Sequence, residues 1–190
     1  KMVFEKGQIA DGFKQADLVV EREFRTATVH QGYIEPHASV ASWNEDGRLK
    51  IWTATQGAFN ARQQIAELLQ IPVSQVVVTP CEIGGGFGGK IIVYLEPVAA
   101  LLSRKCGRPV KITMQRSEVF EGTGPTPGGY LRVKIGAKKD GTLVAGDAWM
   151  AYECGGFPGG VIGPGAMCVF SCYDFPHARV EAYDVVNNKP

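Results

Sequence analysis

The residues best suited to chemistry gather at Ile83-Gly84-Gly85-Gly86-Phe87-Gly88-Gly89-Lys90, five glycines in six positions around one aromatic. Glycine is the most costly residue to order on folding, so such a cluster needs a reason such as positive φ angles or a ligand pressed against the main chain. Bare peptide N–H groups can face an anion where side chains would collide. A flexible surface loop is the competing reading. The β-rich Val76-Val77-Val78-Thr79 in front of the stretch and the lone Phe87 at its centre weigh against that.

Two nucleotide motifs overlap here. Gly84-x-x-x-x-Gly89-Lys90 matches the front of a phosphate-binding P-loop, between a strand and a helix as that motif requires. Ile91 stands where Ser or Thr would hold magnesium, and no apolar strand ending in Asp follows. Gly84-x-Gly86-x-x-Gly89 also matches a dinucleotide fingerprint, but it does not open the fold, and no acidic residue ends a strand about 20 residues later.

Other candidate side chains are less organised. His30, Glu35 and His37 lie close together, yet Pro36 interrupts any helical or strand spacing, so they read as loop residues that could line a site. The five cysteines, Cys81, Cys106, Cys154, Cys168 and Cys172, are odd in number and contain no C-x-x-C pair, which argues against a disulfide framework or zinc site. Cys168 and Cys172 could share a soft metal with His177. Free thiols are the plainer reading.

The elements that must position the glycine stretch follow from periodicity. An alternating strand toward Thr28 leads to a hairpin, Ala38 to Trp43 and Leu49 to Thr55, turning at Asn44-Glu45-Asp46-Gly47. Ala58, Ala61, Ile65, Leu68 and Leu69 make a helical stripe stopped by Pro72. A strand from Gln75 to Pro80 enters the glycines, and a second helix runs from Leu95 to Lys105, with Gly107 as its stop. Then come a strand from Arg108 to Met114, a loop over Gly122–Gly129, and a hairpin of Tyr130–Ile135 with Leu143–Trp149. Cys154 to Tyr173 reads as a long lining loop or a set of short turns. The order predicts an α+β or mixed α/β layer structure, with a mixed sheet and two main helices.

The 190 residues, 45% hydrophobic and 21% charged, suit a soluble globular chain. A formal net charge of +1 without any block of like charge argues against nucleic acid, and no apolar run is long enough to span a bilayer. A cytoplasmic setting is expected. The opening Lys1-Met2-Val3 and the end at Asn187-Asn188-Lys189-Pro190 suggest a single-domain piece, residues 1–190, of a larger protein, with an internal division near 120–130.

Several motifs occur together in order: Thr55-Gln56-Gly57, Val76-Val77-Val78 leading into Gly84–Lys90, and Gly107-Arg108-Pro109-Val110-Lys111. With weaker matches at Arg116-Ser117-Glu118 and Asp140-Gly141-Thr142-Leu143, the chain resembles the molybdenum-binding subunit of the xanthine dehydrogenase and aldehyde oxidase family, which includes carbon monoxide dehydrogenase. The resemblance covers nearly the whole chain, most specifically residues 55 to 111. It implies the first part of a molybdopterin-binding domain and a molybdenum-pterin dinucleotide, of the cytosine form. Gln56 would set its side-chain amide against the metal's ligands, and the backbone of Gly85, Gly86, Phe87 and Gly88 would lie beside the metal.

The implied reaction is hydroxylation of an aldehyde, an aromatic heterocycle or a similar small molecule with water-derived oxygen. Electrons would leave through FAD and iron-sulfur clusters on partner subunits or domains. The family's general base lies in a segment outside these residues, so the isolated chain would be inactive and would hold no direct metal ligand. Some members carry Glu after Gly-Gly-Lys where this chain has Ile91, and the Gly124–Gly128 region lacks an Arg-His-Pro run. Read without the resemblance, Gln56 is a polar residue capping a turn and Phe87 a core plug. A nucleotide-binding P-loop-like domain and a non-catalytic interaction module of a multi-subunit oxidoreductase are the alternatives.

Overall fold

A computed structural model describes residues 1–189, in two compact units: Lys1–Val29 together with the chain from Pro127 onward, and His30–Thr126 between them in sequence.

The second unit carries the glycine stretch. β3 (Ala38–Trp43) and β4 (Leu49–Thr53) form the expected antiparallel hairpin, with Gly47 at φ 81° in the turn where a side chain would be strained. β5 (Val76–Pro80) lies parallel to β4, and β6 (Val110–Thr113) pairs antiparallel with β3, giving the order β5-β4-β3-β6. A parallel neighbour needs a crossover, which α2 (Ala58–Leu69) supplies. α3 (Glu96–Cys106) packs on the same core and ends at Gly107 in a left-handed conformation.

Ala41, Leu49, Ile51, Ala61, Ile65, Val76, Ala99 and Ala100 build that core. The small alanines of α3 let its backbone settle against β3. Ser103 secures the contact by accepting from Trp43 N–H at 2.9 Å and donating to Arg108 C=O at 2.8 Å. Thus the strand β5 and helix α3 on either side of the glycine loop are both fixed to one sheet.

The other unit is a five-stranded sheet ordered β1-β9-β8-β7-β2, from β1 (Met2–Lys6), β9 (His177–Val185), β8 (Leu143–Glu153), β7 (Gly129–Ala137) and β2 (Leu18–Thr26). Ala148, Met150, Val180 and Ala182 fill one face beneath Ile162 and Ala166 of α5 (Ile162–Cys168). The region read as a long loop or short turns thus contains one short helix. Both edge strands, β1 and β2, are exposed along their whole length. Two further short helices, α1 (Ile9–Lys14) and α4 (Arg116–Gly122), complete the elements.

The α+β class is borne out, with mixed pairing and α2 and α3 as the two main helices; the strands divide between two mixed sheets. Among the described residues no helix is long and apolar enough to cross a membrane.

Candidate functional site

The loop between β5 and α3 folds back on the residues just before α2. Gln56 Oε1 accepts the main-chain N–H of Gly88 at 3.0 Å and of Lys90 at 3.1 Å, and Gln56 N–H donates to Lys90 C=O at 3.0 Å. Gln56 therefore does not cap α2, whose N-cap position is Gly57 and makes no side-chain capping bond. Two donors on the same atom identify it as the amide oxygen. The amide NH2 is left facing outward from an exposed residue, with no partner among the described residues.

Glycine is required by geometry at particular positions. A Cβ on Gly86 would lie 2.6 Å from Gln56 Oε1, and one on Gly84 would lie 2.6 Å from Glu35 Cβ. Gly88 has φ +90° with nothing within 4 Å of an added Cβ, so its outer side is open. Gly85, at φ +94°, packs between Tyr33 and the Phe87 ring. Phe87 itself has φ 48° and is 74% exposed, so it is a projecting tip and not a core plug.

Of the sequence-predicted set, Gln56 thus meets both Gly86 and Gly88, with Gly85 and Phe87 on the adjoining turn. One detail differs from the simplest expectation. Gly88 N–H is engaged by Gln56, and within Gly84–Lys90 the amides without a partner among the described residues are those of Gly85, Gly86 and Phe87.

Beneath the loop lies a polar network that the sequence left as scattered loop residues. Glu35 Oε2 accepts Gly84 N–H at 2.8 Å and Lys90 Nζ at 2.6 Å. Burial pushes the Glu35 carboxyl up, but the hydrogen bonds from Lys90 and Gly84 outweigh it and the group sits below its ordinary value. Lys90 is fully buried, 5.1 Å from the centre of the Tyr33 ring. Its ammonium is committed to Glu35, and α3 begins six residues after it at Glu96, so neither the cation nor the helix end needed by a P-loop is present.

The Tyr33 hydroxyl lies 2.7 Å from Thr123 Oγ1 and 2.8 Å from His37 Nε2, and His30 Nε2 lies 3.0 Å from Thr123 Oγ1. The proton order follows from the ends of the chain. His30 Nδ1 accepts Gly32 N–H, so its Nε2 carries the proton toward Thr123, whose own hydroxyl donates to Val119 C=O. Tyr33 then donates to Thr123 and accepts from His37. Burial holds the His37 imidazole below its ordinary value; the Lys90 ammonium acts the same way, while Glu96 and Glu35 oppose it. With both rings and Glu35 so engaged, these residues do not gather as metal ligands. The Tyr33–Thr123 contact and the Glu35–Lys90 pair were missed because they cross 55 or more residues of chain.

A family model described as the molybdopterin cofactor-binding domain matches residues 1–190. The chain belongs to that family. Among relatives of this molybdopterin-binding domain, a probable xanthine dehydrogenase polypeptide of Bacillus subtilis is 31% identical over 97% of this chain and 25% of its own length. The nicotinate dehydrogenase large molybdopterin subunit of Eubacterium barkeri is 32% identical over 98% of this chain and 44% of its own. Aldehyde oxidoreductase from Desulfovibrio gigas superposes with a TM-score of 0.85 at 27% identity, over 97% of this chain and 21% of that one. The domain therefore spans a quarter to less than half of the length of the two curated relatives.

The loop fits the family's molybdenum-pterin group on its own geometry. An outward amide donor at Gln56, three unpartnered main-chain N–H groups and an open Gly88 make a neutral, donor-rich surface suited to an anionic, oxygen-bearing ligand.

Proposed function

We propose that this domain is one part of a larger molybdenum hydroxylase subunit and forms one wall of its molybdenum-pterin site. The enzyme oxidises an aldehyde, an aromatic heterocycle or a similar small molecule with oxygen derived from water. The observation that carries this reading is the state of Gln56: its amide oxygen is held by Gly88 and Lys90, which leaves its NH2 as a donor without a partner among the described residues, at an exposed position. The names of the relatives, which span xanthine, nicotinate and aldehyde oxidation, support the reaction class.

When bound, the group supplies the two-electron redox centre. Gln56 Nε2 and the N–H groups of Gly86 and Phe87 would hold its polar periphery, Gly88 would admit close approach of the backbone, and the exposed Phe87 ring would exclude water. Nothing in this set is a general base. Glu35, the carboxylate bound to the loop, is neutralised by Lys90 and takes no part in proton transfer. The base therefore comes from elsewhere in the complete subunit, and the 190-residue chain alone has no turnover.

The pterin carries a cytosine nucleotide, and the electrons pass on to iron-sulfur clusters and FAD held by partner subunits or domains. The test is metal and nucleotide analysis of the complete protein. Molybdenum and a cytidine nucleotide in equal amounts after acid release are expected. A purified, folded protein lacking both overturns the reading.

A further inference from the structure

A single carboxylate oxygen, Glu35 Oε2, closes the glycine loop between its first and last residues by taking Gly84 N–H at 2.8 Å and Lys90 Nζ at 2.6 Å. Lys90 is also bound at its main chain by Gln56, through both its N–H and its C=O. It is the one residue on which both anchors of the loop meet. Its side chain has no exposure, whereas that of Glu35 keeps 34%.

A buried ion pair of this kind is weak evidence for stability, because desolvation offsets much of the attraction and an apolar pair often serves as well. What an apolar pair cannot do is fix direction. The Lys90 ammonium points one way only, toward a carboxylate that also grips Gly84. The Tyr33 ring supports the same span: a Cβ on Gly89 would lie 2.6 Å from Tyr33 Cε1, and one on Gly85 would lie 3.1 Å from Tyr33 Cβ.

We propose that Lys90, held by Glu35 over Tyr33, is the positioning residue of the cofactor wall. It sets the separation of the Gly84 and Gly88 arms and so aims Gln56 Nε2 and Phe87. It touches no reacting atom. The inference rests on the reading of this loop as part of the molybdenum-pterin site.

The test uses the complete protein with the substitutions E35Q, K90M and the pair E35Q/K90M. The double variant matters most, because it removes the buried ammonium that E35Q leaves unpaired and the carboxylate that K90M leaves without its cation, so its folding is restored toward wild type. Positioning predicts that the double variant nonetheless loses about ten-fold in pterin retained per chain, the lower range for residues that orient a metal group from behind. It also predicts about ten-fold faster amide exchange at Gly84 to Gly88, with exchange in β3 and β4 unchanged, and an altered Mo(V) electron paramagnetic resonance signal in whatever cofactor remains. Pterin retained in full by E35Q/K90M, with unchanged loop exchange and resonance signal, overturns this proposal alone. Wild-type protein without pterin overturns the functional reading, and this proposal with it.

Discussion

The main-chain N–H of Gly88 donates to the side-chain oxygen of Gln56 at 3.0 Å, across 32 residues of sequence. This bond makes Gln56 two things at once, an anchor for the loop and a donor to whatever lies outside it. The roles occupy opposite ends of one amide and can be separated. Q56A removes the acceptor for Gly88 and Lys90 and should cost about 1–3 kcal/mol of stability. Q56E keeps an acceptor and loses the donor. It should fall within about 1 kcal/mol of wild type in thermal unfolding and still lose cofactor from the complete protein. Equal cofactor content in Q56E and wild type would contradict the donor role.

Glycine substitutions should divide by mechanism. G86A forces a Cβ to within 2.6 Å of Gln56 Oε1, the end of a flexible side chain whose displacement breaks two hydrogen bonds. G88A meets no atom within 4 Å and carries only the strain of φ +90°. The expected losses are about 2–3 kcal/mol for G86A and about 1–2 kcal/mol for G88A, measured by denaturant unfolding. The reverse order would show that Gln56 does not hold the loop.

Stability should fall on mild acidification. The folded His37 imidazole sits below its ordinary 6.5, so as pH drops through 6.5 the unfolded chain takes up a proton that the folded chain refuses. Glu35 adds a second loss below its ordinary 4.5, because its folded carboxyl is also depressed and the ion pair is lost as it protonates. H37Q keeps a donor for Tyr33 and cannot titrate. It should flatten the dependence of melting temperature on pH between about 5 and 6.5 while leaving the drop below about 4.5 in place. An unchanged slope in H37Q would assign the effect to another group.

ATP or GTP with magnesium should leave the melting temperature unchanged, since the Lys90 ammonium is already bound to Glu35. A shift of several degrees at millimolar nucleotide would restore the P-loop reading.

Much of the fold around the loop was legible in the sequence because it rests on local signals. The Asp46-Gly47 turn, the apolar stripe of α2 and the Gly107 stop of α3 each depend on residues close together. β1 and β2 are exposed throughout, so no burial alternation marks β1, and the six residues of α1 are too few to show a period. β9 carries a local signal, since Val180 and Ala182 alternate with Arg179, Glu181 and Tyr183, whereas the Gln115–Glu118 capping box of α4 has Gln where the usual signature has Ser or Thr. In the site, the glycines announced a close approach, but what they approach could not be read. The contacts of Gln56, Glu35 and Tyr33 with the loop depend on tertiary folding over 32 or more residues and leave no trace in spacing.

Gln56 Nε2 and the Phe87–Gly88 turn are expected to face a molybdenum-pterin group. A crystal structure of the complete, cofactor-loaded protein tests it most directly. The metal's ligands are expected within hydrogen-bonding distance of Gln56 Nε2, with the Phe87–Gly88 backbone alongside and Glu35 still bound to Lys90. A molybdenum centre held elsewhere, with Gln56 Nε2 facing solvent or protein, would contradict it.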